Sequence, residues 1–279
     1  MTPVLAPHAA QVLIHSSYIG GATQPGVTLA GTLLNHTKTV SSVGAHNAEQ
    51  KALAAAGMKQ DYILGEANSL YNQGAPGLSN SFGAALWGVD FNLMAAATNI
   101  KQVFMHQGTD YRYASWQPIS TTKTTIGTKP SYYGNVAVAA ALGNITRSAV
   151  RVANVPLKQS TEAAYAIYSD DKLARIMVIN MKEYNYSVSS ISPRPVPSYN
   201  FTLPASCKGS GMVQRLIANG SDAISGVSFN GMSWNYELNE GKGQLLGNVT
   251  RDEVVWIASS GDVSVPVPDS SAALVQLTC

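Results

Sequence analysis

Over the first half of the chain, short apolar runs alternate with longer stretches at helical spacing. Val12-Leu13-Ile14-His15, Tyr62-Ile63-Leu64-Gly65-Glu66 and Val103-Phe104-Met105-His106 are β-rich runs, each ending on a polar side chain. Strands separated by helical patterns signal βα units around a parallel sheet. The clearest helix follows the second run, with Ser79 or Ser81 as its N-cap and Phe82, Leu86, Val89 and Leu93 at helical spacing. Trp87, Phe91 and Met94 form a second apolar stripe, so this helix is expected to be buried on most sides. Asp90 in its middle reads as a solvated or capped residue rather than a catalyst.

From about residue 147 the pattern becomes alternating strands broken by Pro, Gly, Asn and Ser. Residues 164–168, 174–180, 212–217, 254–258 and 272–277 are predicted strands, and the Pro-rich segment 192–204 is a long connection. This reads as an antiparallel β-sandwich. The expected division is therefore α/β over residues 1–146 and all-β over 147–279.

Composition narrows the function. Of 279 residues, 45% are hydrophobic, enough to bury a core, but only 12% are charged, which implies a neutral polar surface. A net charge of +2 from 18 basic and 16 acidic residues leaves no basic stripe, so no nucleic-acid partner is expected. No apolar run is long enough to cross a bilayer, so no membrane span is expected. Met1-Thr2-Pro3 shows no secretory leader pattern. Sequons at Asn35, Asn144, Asn185, Asn200, Asn219 and Asn248 nevertheless fit a secreted, extracellular glycoprotein. Cys207 and Cys279 have no neighbours at metal-ligand spacing; they read as a disulfide, with two free thiols as the alternative. No metal and no cofactor are expected.

In a parallel βα barrel the reacting groups sit at the C-terminal ends of the strands, where His15, Glu66 and His106 are expected to fall. The loop that continues from His106 through Tyr111, Arg112, Tyr113, Trp116 and Gln117 mixes flat aromatics with amides and hydroxyls. That mixture suits a sugar, whose ring has apolar faces and a polar rim.

The segments Gly65-Glu66-Ala67-Asn68-Ser69-Leu70-Tyr71, Gly74-Ala75-Pro76-Gly77-Leu78-Ser79, Ala84-Ala85-Leu86-Trp87 and His106-Gln107-Gly108-Thr109, in this order, resemble the fungal β-glucuronidases of glycoside hydrolase family 79. The resemblance extends through Asn35-His36-Thr37 and Lys172-Leu173-Ala174-Arg175 to the closing Val275-Gln276-Leu277-Thr278-Cys279. It implies the C-terminal part of a (β/α)8 TIM barrel, strands six to eight, followed by a β-sandwich. It also implies a retaining exo-β-glucuronidase acting on glucuronate- or 4-O-methylglucuronate-bearing carbohydrate. Glu66 matches the family nucleophile, and Tyr71 with the Asn72-Gln73-Gly74 turn matches the reader of the sugar carboxylate. His106 matches a histidine at the eighth strand, Tyr113 a sugar-contacting tyrosine with Tyr111 as its rival, and Tyr18 a residue that hydrogen-bonds the nucleophile.

Retention requires a second carboxyl group roughly 5–5.5 Å from the first. In the family this is a Glu preceded by Asn at the fourth strand, upstream of the segments present here. The one Asn-Glu pair, Asn239-Glu240, reads instead as a glycine-flanked hairpin turn. A full barrel takes about 250 residues. The expectation is therefore a truncated gene model, or a degenerate pseudoenzyme, that is poorly soluble or inactive by itself. Two other functions compete: a heparanase-like endo-β-glucuronidase, and a non-catalytic carbohydrate-binding or structural protein.

Overall fold

The computed structural model describes residues 12–188 and 192–279. Met1–Pro3, where a leader pattern was sought, lie outside the described residues. Chain order begins with strand β1 (Val12–Gly21), a short π-helical turn (Leu29–Leu33), helix α1 (His36–Ala55), β2 (Asp61–Tyr71), α2 (Phe82–Ala97) and β3 (Gln102–Met105). The three strands form a parallel sheet in the order β1-β2-β3. A small hairpin, β4 (Trp116–Gln117) with β5 (Gly127–Thr128), precedes helix α3 (Pro130–Leu142).

β1 and β2 run well past the apolar runs that announce them, so His15 and Glu66 lie mid-strand rather than at strand ends. Those runs stop where the strands acquire polar neighbours, but the parallel pairing continues to Gly21 and Tyr71. Helix α2 starts after Ser81, which has extended dihedrals but makes no side-chain cap. Its hydroxyl donates to the Leu78 carbonyl instead, while the first amides of the helix, Phe82 and Gly83, donate to the carbonyls of Ala223 and Ser221. A distant part of the chain thus satisfies the orphan donors of this helix. α3 packs against α2 with Gly134 at the crossing; a Cβ there would lie 2.7 Å from the Ala85 carbonyl oxygen.

The rest of the chain is antiparallel. β6 (Val150–Val155), β7 (Glu162–Ser169), β8 (Lys172–Asn180), β10 (Ser210–Ile217), β11 (Ser228–Phe229), β12 (Met232–Ser233), β13 (Gln244–Leu245), β14 (Glu253–Trp256) and β16 (Ser271–Gln276) make one nine-stranded sheet. Its order is β13-β12-β11-β10-β16-β8-β7-β6, with β14 also on β10. β9 (Ser198–Thr202) pairs with β15 (Asp262–Pro266) as a separate two-stranded ribbon, so the Pro-rich segment expected as a plain connection contains a strand.

Alternation along β16 shows how the layers stack. Ala272 and Leu274 join the cluster built around α2, whereas Ala273 and Val275 join the cluster around Val263 and Val265 of the ribbon. Both faces of the sheet are covered, which is why these strands read as nearly continuous apolar runs. Cys207 and Cys279 form a disulfide across 72 residues.

The one-turn helix α4 (Tyr236–Asn239) replaces the hairpin turn expected at Asn239-Glu240, and Glu240 ends it in the left-handed conformation, φ 50°. Asp90 is likewise not solvated: it is fully buried on α2, where its Oδ1 accepts from the Tyr165 hydroxyl at 2.6 Å and meets His36 Nδ1 at 2.8 Å. The apolar sheet that closes over α2 seals it from water. No helix among the described residues is long and apolar enough to cross a membrane, and none of their His, Cys, Asp and Glu side chains cluster in groups of three or more able to hold a metal ion.

Candidate active site

β2 carries one extra residue against both neighbours. His15 pairs with Leu64 and Ser16 with Glu66, leaving Gly65 unpaired, and the register to β3 shifts between Leu64 and Ala67. Tyr62 and Leu64 are buried against the helices. Strict alternation would send Glu66 the same way, but a one-residue insertion flips every later side chain to the opposite face. The bulge therefore turns Glu66 away from the helices and leaves its side chain 53% exposed.

Around it the sheet assembles a hydroxyl-rich cluster. Tyr18 of β1, paired in register with Asn68, stands on the same face and donates its hydroxyl to Glu66 Oε1 at 2.6 Å. His106, the residue after β3, places Nδ1 2.8 Å from the Tyr113 hydroxyl, 3.5 Å from that of Tyr18 and 3.8 Å from Glu66 Oε1. Burial, with the bond to Glu66 adding to it, pushes the Tyr18 hydroxyl well above its ordinary pKa, and burial raises that of Tyr113. Both phenols stay protonated near neutral pH, so Tyr18 faces the carboxylate as a donor.

Tyr71 ends β2 beside this group, its ring edge-on to that of Tyr18 at 6.5 Å. The ring lies over Gly21, where a Cβ would come within 2.4 Å of it; only glycine leaves that space. The chain then turns through three consecutive left-handed residues, Asn72, Gln73 and Gly74, with φ of 61°, 69° and 75°. Their backbone N–H groups donate to no other residue among the described ones. Gln73 is anchored on its acceptor side, its carbonyl taking the Arg112 amide and its Oε1 taking Lys123 Nζ at 2.6 Å.

The sheet thus brings together Tyr18, Glu66, His106 and Tyr113, with Tyr71 and the Asn72–Gln73 turn alongside. His15 is left out: it faces the helices, stacks on Tyr62 at 5.2 Å and meets Glu49 at 3.2 Å. Of the two rival tyrosines, Tyr113 sets its hydroxyl on His106, while Tyr111 packs its ring edge against both and covers Gly108. Cys207 and Cys279 lie in the antiparallel part of the chain, away from these residues.

Two known proteins of similar sequence bear on this site. The chain is 52% identical over 271 residues to a β-glucuronidase of Aspergillus niger, covering 94% of this chain and 50% of that protein. It is 46% identical over 298 residues to a β-glucuronidase of Neurospora crassa, covering 93% and 53%. Residues 164–274 match the glycosyl hydrolase family 79 C-terminal beta domain. The chain thus carries a family 79 C-terminal beta domain and is similar to two β-glucuronidases. It spans about half the length of the curated relatives it matches. A 4-O-α-L-rhamnosyl-β-D-glucuronidase from Fusarium oxysporum 12S shares its fold with a TM-score of 0.77 at 24% identity, over 95% of this chain and 52% of that one.

Two residues that hold this cluster in shape escape a reading of the sequence. Asn68 is buried and donates from Nδ2 to the His106 carbonyl at 2.9 Å. Lys129 is only 8% exposed, and its Nζ donates to the Tyr111 carbonyl at 2.8 Å; burial lowers its pKa to about 8. The signal for Asn68 is its spacing of two from Glu66 along a strand. Lys129 carries none, since a lysine before Pro130 looks like an exposed helix entry.

Proposed function

We propose that this chain carries the nucleophile half of a retaining exo-β-glucuronidase site, acting on terminal glucuronate or 4-O-methylglucuronate in glycans. The observation that carries the reading is the Tyr18–Glu66 hydrogen bond at a bulge in a parallel strand, where a hydroxyl orients a carboxylate that solvent and substrate can reach. Glu66 attacks the anomeric carbon to form a glycosyl-enzyme, and a second carboxyl group protonates the departing oxygen and then activates water. Tyr71 and the three unpaired amides of the Asn72-Gln73-Gly74 turn donate to the sugar carboxylate; His106 and Tyr113 bind ring hydroxyls.

In this reading the parallel strands are strands six to eight of a (β/α)8 barrel, the antiparallel sheets form a β-sandwich, and the boundary falls at 146/147. The relatives named β-glucuronidase support this assignment of substrate. Exo rather than heparanase-like endo action fits the engagement of Lys123 with Gln73 and Asp110, which leaves it unavailable to a sulfate. Secretion is supported by the disulfide and by exposed sequon asparagines at 144, 200, 219 and 248; Asn35 and Asn185 are half-buried.

Among the described residues no second carboxylate bonds into the Glu66 cluster, so the chain alone is expected to be inactive. The test uses an activated 2-deoxy-2-fluoro-β-glucuronide on a chimera joining this chain to the N-terminal half of the Aspergillus niger relative. Peptide mass should show the sugar on Glu66, and Glu66→Gln should remove the label. A chimera that hydrolyses glucuronides while labelling elsewhere, or that binds glycans without hydrolysis, refutes the assignment; the latter result favours a non-catalytic carbohydrate-binding protein.

A further inference from the structure

Trp116 takes no part in the hydrogen bonds or ring contacts of the Glu66 cluster. It stands 57% exposed on the β4–β5 hairpin, at one wall of a cleft of about 430 Å³. Tyr132 of α3 and Tyr236 of α4 supply two further aromatic walls. The hairpin and α4 meet closely: a Cβ at Gly127 would lie 3.7 Å from Tyr236 Cβ, and one at Gly241 would lie 3.6 Å from Thr128 Oγ1. The Tyr132 ring is fixed from behind by Trp234 at 5.7 Å and Tyr133 at 5.9 Å. Tyr133 is itself tied, its hydroxyl accepting the Trp234 amide at 2.8 Å.

The polar lining is as selective as the aromatic one. Gln117 lines the cleft while almost fully buried; its Nε2 donates to the Ile119 carbonyl, but its Oε1 has no hydrogen-bond partner. Glu240 is the one charged side chain in the lining, and it is an acceptor too. Flat rings beside an exposed carboxylate acceptor match a pyranose, which offers a C–H face for stacking and hydroxyls to donate. The carboxylate disfavours a second negative charge. The volume falls within the roughly 300–1,000 Å³ of small-ligand clefts.

We propose that this cleft is a second carbohydrate-binding site, one that takes a neutral pyranose chain stacked on Trp116. Its occupancy is independent of Glu66 and of the glucuronidase reading. The Trp116 hairpin and the α4 turn are far apart in the sequence, so the site exists only where these two segments meet.

The test is calorimetric titration of the full chain with cellotetraose, xylotetraose and β-1,4-galactotetraose, with tetragalacturonate as the anionic comparison. At least one neutral tetraose should bind. Trp116→Ala should weaken it at least about tenfold, the loss of one stacked ring. Glu240→Arg, at a side chain 77% exposed, should weaken it by a smaller factor without disturbing the fold. Glu66→Gln should leave it unchanged within about twofold, since the cleft shares no residue with that cluster. The proposal is overturned if no neutral tetraose binds or if tetragalacturonate binds as well as the best of them. It is equally overturned if Trp116→Ala and Glu240→Arg leave affinity unchanged, or if Glu66→Gln abolishes binding while they do not.

Discussion

Two carboxylate–histidine–tyrosine groups occupy this molecule, and they share nearly the same contacts. Glu66 takes a Tyr18 hydroxyl at 2.6 Å with His106 alongside; Asp90 takes a Tyr165 hydroxyl at 2.6 Å with His36 at 2.8 Å. Their surroundings are opposite. Glu66 is half-exposed on a strand bulge, whereas Asp90 and Tyr165 are wholly buried where α2 meets β6 and β7. In the buried group the Asn154 amide donates to His36 Nε2, which leaves Nδ1–H to donate to Asp90. The same three kinds of side chain stand open to solvent in one place, where the proposed chemistry needs them, and are sealed into the core in the other.

The largest effect is expected from Asp90→Ala. It strands a buried phenol and a half-buried imidazole and should cost about 3 kcal/mol, a fall of roughly 10 °C in Tm by calorimetry. A variant melting within about 2 °C of wild type would break the contrast.

Lys129→Met sharpens the same contrast at the loop carrying Tyr111 and Tyr113. The lysine titrates near 8 when folded and at 10.5 when unfolded, so between these values the unfolded chain holds a proton the folded chain lacks. Wild-type stability should therefore rise through this window relative to the variant, by up to about 3 kcal/mol. Parallel stability curves from pH 7 to 10.5 would refute it.

Paired phenol deletions follow. Tyr165→Phe should cost about 1–2 kcal/mol in denaturant unfolding, and Tyr18→Phe about 0.5 or less, because water replaces only the second bond. Equal costs would erase the distinction between the two groups. Glu66→Gln should likewise stay within about 0.5 kcal/mol of wild-type stability. The smallest effect on stability belongs to Gly21→Ala, which displaces the exposed Tyr71 ring rather than the fold. Its readout is weakened glucuronate affinity in the active chimera at unchanged Tm.

Much of this was legible in the sequence. Apolar periodicity located α2 and the principal strands, and the family resemblance named Tyr18, Glu66, His106 and Tyr113, which the fold gathers into one cluster. Less legible was α1, whose buried positions are only Thr39 and Val43 and which therefore has little apolar stripe to read. The β9 strand was hidden among prolines, a residue that marks edges and connections more often than ladders.

Residue types and their local spacing are properties of the sequence alone, and they determined which elements form and which side chains are available for chemistry. The extra residue at Gly65, the carbonyls of Ser221 and Ala223 that cap α2, the sealing of Asp90 and the cleft beside Trp116 were decided only by tertiary structure. Each depends on atoms far apart along the chain. Facing direction in a strand depends on register with its neighbours, and the reactivity of a carboxylate depends on whether water reaches it; neither is encoded in the residues next to it.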